Sequence, residues 1–240
     1  GLAMATRPAA AQGALTLYCS VQEEWCRAMT TAFEKETGIK VAMTRKSSGE
    51  FYAQLKAEAS NPRGDVWWGG TGDPHLQAAE EGLTLEHTPS KPGDLHEWAL
   101  SVWKSSKNRT IGVYSGALGF GYNAKTIAQR KLPEPKCWAD LLKPEYKDEV
   151  QVADPNSSGT SYTLLATIIQ LMGEDKGFDY MKKLHKNVNQ YTKSGAAPAK
   201  AVSLGESAIG ITFMHDMVAM ANENPDVKVV APYEGTGYEI

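Results

Sequence analysis

Apolar positions along the chain change rhythm several times, and each change marks an element. Leu15-Thr16-Leu17-Tyr18-Cys19 is a short extended run that predicts a strand, after which Trp25, Met29 and Phe33 recur at helical spacing. Thr37-Gly38 supplies a glycine stop, and Ile39-Lys40-Val41-Ala42-Met43 predicts the next strand. Strand, helix and strand of this length make a βαβ unit, which implies a parallel sheet. The rhythm continues with a predicted helix from Glu50 to Ala59, a buried strand at Asp65-Val66-Trp67-Trp68, and a glycine turn before a helix carrying Leu76 to Glu80.

From Thr84 to Arg109 the sequence is polar and carries Pro89, Pro92 and Gly93, so a long surface excursion is expected. Beyond it the alternation restarts. Strands are predicted at Ile111–Tyr114, Gly119–Asn123 and Val150–Val152, with a turn-helix over Trp138–Leu142 between them. Helices follow over Gly159–Met172, Asp175–Lys186 and Ala197–Leu204, then a strand over Ala208–Phe213, a helix through Ala221 and a strand over Val227–Val230. Two α/β sets parting near residue 110 predict two lobes with a cleft between them. The expected division is a leader or tag remnant over 1–12, a first lobe over 13–110, a second over 111–230, and a crossing back toward the first over 231–240.

Composition narrows the function. With 240 residues and 42% hydrophobic content the chain can bury a substantial core. The net charge is −3 and the charges are interspersed, so nucleic acid is not an expected partner. No apolar run approaches the about eighteen residues that a membrane span requires. Arg7-Pro8-Ala9-Ala10-Ala11-Gln12 has the small-residue texture found around a signal-peptidase cut, which suggests export, and Gly1–Met4 looks like a cloning remnant. Cys19, Cys26 and Cys137 are too few for a disulfide scaffold and lack zinc-site spacing. A short-loop bridge between Cys19 and Cys26 and a set of buried free thiols both remain open.

Four loops share a recipe of Ser, Thr and Gly at a strand-to-helix junction. They are Lys46-Ser47-Ser48-Gly49, Gly69-Gly70-Thr71-Gly72-Asp73, Asn156-Ser157-Ser158-Gly159-Thr160 and Lys193-Ser194-Gly195-Ala196. A helix start offers unpaired N–H groups and partial positive charge, so such loops suit a phosphate or carboxylate. Each alone reads equally as ordinary capping; four, two in each expected lobe, point to a shared anion held by uncharged donors instead of lysines and arginines. His215-Asp216 directly follows an apolar strand where a helix begins, a position suited to hydrogen-bonding hydroxyl groups, although Asp216 also suits a plain cap. Glu239 and Glu50 are further candidates. Trp67 and Trp68 suit a core or a stacking role, Trp25 is assigned to its helical stripe, and His75, His87, His96 and His185 are expected on the surface.

No Walker loop, dinucleotide fingerprint, serine elbow or His-Glu-x-x-His occurs, so no catalytic, metal or cofactor set is expected.

The order of Leu17-Tyr18-Cys19-Ser20, Ala32-Phe33-Glu34-Lys35-Glu36-Thr37-Gly38-Ile39-Lys40-Val41 and Asp65-Val66-Trp67-Trp68-Gly69-Gly70 resembles family 1 extracellular solute-binding proteins of ABC importers. Leu141-Leu142-Lys143-Pro144-Glu145-Tyr146-Lys147 and Asp154-Pro155-Asn156-Ser157-Ser158-Gly159-Thr160 match its second lobe. The resemblance implies a type II periplasmic binding protein fold, α/β, each lobe a mixed sheet flanked by helices. It also implies export, a monomeric receptor that is no enzyme, and an ABC membrane permease as partner. Within the family the chain is similar to the branch labelled ferric-iron-binding, some of whose members bind hexose phosphates. Ferric binders have two adjacent tyrosines where this chain reads Met214-His215-Asp216, and Fe³⁺ favours phenolate oxygens.

The sugar-phosphate members are similar at Ser47, His215, Asp216 and Glu239. The ligand-binding set is therefore expected to be those four, with Ser48, Thr71, Ser157, Ser158, Gly159 and Thr160 added from helix-terminus physics. A small phosphorylated anion, a hexose phosphate first and a phosphonate or ferric ion as alternatives, is the expected cargo. Relatives continue beyond Tyr238-Glu239-Ile240 to complete the first lobe, so a missing C-terminal return is expected.

Overall fold

The computed structural model describes residues 13–240. The expected leader remnant over 1–12 lies outside the described residues. Strand β1 (Ala14–Cys19) is followed by helix α1 (Glu23–Thr37), which ends where Gly38 adopts a left-handed φ of 73° and returns its N–H to Glu34 O. Strand β2 (Lys40–Arg45), helix α2 (Ser48–Ala57), strand β3 (Val66–Trp68) and helix α3 (Gly72–Glu80) follow. The three strands form one parallel sheet ordered β2-β1-β3, as the βαβ pattern predicts.

The expected excursion over 84–109 contains a helix, α4 (Glu97–Ser105). Its signal was masked because Pro89, Pro92 and Gly93 punctuate only the first half, while Ala99, 2% exposed, anchors the second. Ile111–Tyr114 is not a strand; pairing begins at β4 (Gly116–Asn123). Helix α5 (Ala124–Gln129), a 3₁₀ turn over Ala139–Leu142 and strand β5 (Val150–Ala153) lead to α6 (Gly159–Met172) and α7 (Glu174–His185). Then come strand β6 (Val188–Thr192), helix α8 (Ala197–Leu204), strand β7 (Ile209–Phe213), helix α9 (Met214–Glu223) and strands β8 (Val227–Val230) and β9 (Tyr238–Glu239).

The second sheet is mixed. Its order is β6-β5-β7-β4-β8, with β5 parallel to β6 and β7, and β4 antiparallel to β7 and β8. Strand β6 was not predicted, because an edge strand with three exposed residues carries no apolar alternation. Strand β9 pairs antiparallel with the start of β4, Glu239 opposite Gly116.

Most of the core lies around the second sheet, where Leu118, Phe120, Trp138, Leu141, Tyr146, Leu164, Ile168 and Ile209 are fully buried. Each such side chain contributes about 1.5–3 kcal/mol of transfer free energy. The first sheet has a smaller cluster of Leu17, Cys19, Val21 and Cys26. The Trp25, Met29 and Phe33 stripe does not join it: these residues are 39%, 50% and 37% exposed, and Cys26 is the buried residue of α1. Periodicity located an apolar face but not what lies against it.

Candidate functional site

An open cleft of about 390 Å³, solvent mouth included, lies where the C-terminal ends of β1, β2, β3 and β7 meet. Six helices begin at its wall. Gln22, Ser47, Thr71, Ser158, Ala196 and Phe213, the N-caps of α1, α2, α3, α6, α8 and α9, all line it. An anion near one exposed helix start gains about 0.3–1 kcal/mol, and more where water is excluded. Several starts converging on one cleft offer N–H donors and partial positive charge together without a large net charge.

All four Ser/Thr/Gly loops contribute. Three glycines admit hydroxyls at a distance no side-chain carbon would permit. A Cβ on Gly70, whose φ is +90°, would stand 2.2 Å from Ser48 Oγ. One on Gly159 would stand 1.9 Å from Thr71 Oγ1, and one on Gly195 2.0 Å from Thr160 Oγ1. Thr71 is 2% exposed and its hydroxyl has no hydrogen-bond partner, a costly state unless something else occupies the cleft.

Of the ten expected site residues, nine line the cleft: Ser47, Ser48, Thr71, Ser158, Gly159, Thr160, His215, Asp216 and Glu239. Ser157 stands outside it. Its hydroxyl lies 3.3 Å from both Asp154 O and Lys193 O, and its carbonyl accepts from Gly49 N–H at 3.0 Å, so it joins the two sides behind the wall. Glu50 is a capping residue, its Oε2 accepting from Ser47 N at 3.1 Å. Ser47 Oγ in turn donates to Lys193 O at 2.8 Å.

The structure adds residues that the loops did not reveal, chiefly Ser20, Gln22, Arg45 and Tyr114. Arg45 corrects the expectation of purely uncharged donors. It ends β2, its Nε donates to Val21 O at 2.9 Å, and its Nη2 reaches Ser194 Oγ at 3.2 Å. The Tyr114 hydroxyl accepts from Gly70 N at 2.8 Å and lies 3.2 Å from Gly70 O, clamping the turn before α3. His75 is not a free surface residue. It stacks on Trp67 with ring centres 3.6 Å apart, its Nε2 lies 3.0 Å from Gly69 O, and burial lowers its pKa to about 4.

Opposite the hydroxyl loops sits a polar triad. His215 Nε2 is 3.7 Å from Asp216 Oδ1 and 3.9 Å from Glu239 Oε1. Trp25, Tyr114 and Phe213 surround its ring at centroid distances of 5.6, 6.4 and 5.7 Å, which gives Trp25 a place in the site instead of the core. Asp216 accepts from the Gln22 amide and lies 3.0 Å from Thr212 Oγ1. Burial raises its pKa, against the lowering effects of His215, Gln22, Thr212 and Arg45. Glu239 is pushed up to about 9, first by burial and then by the Asp216 charge. Both effects act in the same direction, and Glu239 is a hydrogen-bond donor at neutral pH.

Two sheets flanked by helices, with a polar cleft at the strand ends, define a type II periplasmic binding protein. The chain belongs to the bacterial extracellular solute-binding protein family, which residues 73–238 match. It is similar to the periplasmic binding protein AfuA from Actinobacillus pleuropneumoniae, solved with exogenous fructose-6-phosphate bound. The two share 40% identity and a TM-score of 0.89 over 95% of this chain and 72% of that one. An uncharacterized protein of Haemophilus influenzae is 43% identical over 96% of this chain and 67% of its own length. A putative 2-aminoethylphosphonate-binding periplasmic protein of Salmonella paratyphi A is 27% identical over 98% and 68%. Among the described residues no helix is long and apolar enough to cross a membrane.

Proposed function

We propose that this protein is the exported receptor of an ABC importer for a hexose phosphate, with the phosphate at the helix starts and the sugar hydroxyls at His215, Asp216 and Glu239. The observation that carries this reading is the meeting of six helix N-caps around Arg45 and the unpartnered Thr71 hydroxyl. A phosphate monoester matches that end, since its oxygens accept from N–H, hydroxyl and guanidinium donors together. At the other end a neutral Glu239 donates to a sugar hydroxyl while Asp216 and His215 take up the remaining hydrogen bonds. The bound state of AfuA supports the same assignment. Ligand hand-over to a membrane permease follows from the family role, and relatives with printed roles include periplasmic binding proteins for a phosphonate and for ferric ion.

The Salmonella relative raises an aminophosphonate as a second reading. An ammonium group prefers ionised carboxylates, whereas burial holds Glu239 protonated and raises Asp216, which favours hydroxyls. Ferric ion is disfavoured by the same chemistry. Tyr114 is the cleft's phenol, and burial raises its pKa far above the ordinary value, away from phenolate. Calorimetry with fructose 6-phosphate, fructose, 2-aminoethylphosphonate and ferric citrate separates these readings. Binding of the sugar phosphate alone is expected; tighter binding of either of the last two would replace the proposal.

A further inference from the structure

Residues 20–22 connect Cys19, the end of β1, to α1, and a disulfide between Cys19 and Cys26 closes this stretch into a loop. Ser20, Val21 and Gln22 all line the cleft, and each also holds another part of the wall. Ser20 Oγ accepts from Trp67 Nε1 at 2.8 Å, the Val21 carbonyl accepts from Arg45 Nε at 2.9 Å, and the Gln22 amide donates to Asp216. The site's guanidinium and its buried acid are thus both oriented by one short loop.

Besides the bond, the loop is held to α1 by Val21, which packs in the same small cluster as Cys26. The helix buries Cys26 and sets Trp25 against Tyr114 and His215, while Met29 and Phe33 stand largely free of the core, so the sulfur link is the covalent anchor near its N-terminus. The backbone ties are Ser20 N to Trp68 O at 3.0 Å and, from the first turn of α1, Trp25 N and Cys26 N to Gln22 O at 3.1 and 3.2 Å. Without the covalent link the loop and the start of α1 can move together, carrying the Val21 carbonyl away from Arg45.

We propose that the Cys19–Cys26 disulfide is a positioning device of the ligand site: it fixes the 20–22 loop so that Arg45 and Asp216 are preset for the anion and its polyol. The inference rests on the cleft being the ligand site. Opening the bond takes two electrons and two protons from a dithiol, giving two protein thiols and the oxidised reagent. Preorganisation of this kind acts on affinity by removing an ordering cost from binding.

The test compares the oxidised protein, the same protein reduced with a dithiol, and the Cys19→Val/Cys26→Ala variant. Fructose 6-phosphate affinity is read by calorimetry, the exchange rate of the Arg45 Nε–H by NMR, and the fold by far-UV circular dichroism. The expected result is an unchanged far-UV spectrum, faster Arg45 Nε–H exchange and affinity weakened roughly tenfold, about 1.4 kcal/mol, in both opened forms. Unchanged Arg45 exchange and affinity would overturn the proposal. So would loss of the far-UV signal in both forms, because the bond would then hold the fold and not the loop. If the oxidised protein binds no fructose 6-phosphate, the ligand assignment fails separately, and the Arg45 exchange rate still decides the positioning claim.

Discussion

Thr71 Oγ1 lies 1.9 Å from where a Cβ on residue 159 would stand, so the starts of α3 and α6 meet nose to nose only because residue 159 is glycine. The constraint is space: the same Cβ would also come within 2.8 Å of Thr71 Cγ2 and 2.9 Å of its Cβ, so rotating the hydroxyl away does not relieve it. Two N-caps from opposite sides of the cleft, Thr71 and Ser158, are brought within reach of one ligand group by this contact.

Gly159→Ala is therefore expected to hold the two sides of the cleft apart. Overpacking of this kind costs about 1–3 kcal/mol, and here the strain is relieved by separation, so it should appear in ligand affinity more than in melting temperature. Calorimetry should give a dissociation constant about 5- to 150-fold higher, since each 1.4 kcal/mol is tenfold. Undiminished affinity would show that the contact relaxes without moving α3 or α6.

Arg45 is the cleft's guanidinium, and its two anchors leave it aimed across the site. With the proposed phosphate at this end, Arg45→Gln would remove a charge-assisted bond worth about 1.5–3 kcal/mol. Sugar-phosphate affinity should fall by about one to two orders of magnitude. Added salt should weaken wild-type binding more than binding to the variant. Equal salt dependence in the two proteins would remove Arg45 from the anion end.

Tyr114 acts on the site through Gly70, whose N–H and C=O both meet the phenol oxygen. Tyr114→Phe leaves those groups short of a partner in a half-buried turn that already has a φ of +90°. The expected loss is about 1–3 kcal/mol of stability. In a domain of this size each kcal/mol lowers the melting temperature by about 2–4 °C. Scanning calorimetry with and without ligand checks it: the ligand should recover part of the loss if the Gly70 turn is restored by binding, and none if Tyr114 serves packing alone.

Much of this arrangement can be read along the chain. Three of the Ser/Gly loops and the His215-Asp216 pair stand at junctions where a change of hydrophobic rhythm announces both a strand end and a helix start, the loop after β6 has only its composition and the helix start, and all of them meet at one cleft. Helices α6 and α8 and strand β8 have the predicted bounds because their apolar spacing is dense and their ends carry glycine or a cap.

Arg45, Tyr114 and His75 were missed for a common reason. Their roles depend on partners outside their own element: Ser194 for Arg45 and Gly70 for Tyr114, both far along the chain, and for His75 the face of Trp67 in the preceding strand. No local pattern separates an arginine ending an amphipathic strand from one that points to water. Trp25 misled in the opposite direction, since its spacing with Met29 and Phe33 is regular but His215 and Tyr114 are its neighbours.

Two titratable groups give the protein opposing pH dependences. Glu239 has a folded pKa of about 9 against an ordinary 4.5, so from pH 4.5 to 9 the unfolded chain has lost a proton that the folded one keeps. Its contribution is fully present below 4.5 and is lost progressively as pH rises through that window. For His75 the folded value is about 4 against 6.5. The unfolded state then binds the extra proton as pH falls from 6.5 to 4, and stability falls with it. Between pH 4.5 and 6.5 the two slopes oppose each other, so melting temperatures measured from pH 4 to 10 should stay nearly level there and decline from 6.5 toward 9. Glu239→Gln, which keeps a donor and cannot ionise, should flatten the alkaline decline and uncover a fall in stability below pH 6.5, while His75→Phe should extend the alkaline decline down to about pH 4.5. An alkaline slope that survives in Glu239→Gln would mean that another group carries it, and Glu239 would then be ionised in the folded protein and unable to donate to a ligand hydroxyl.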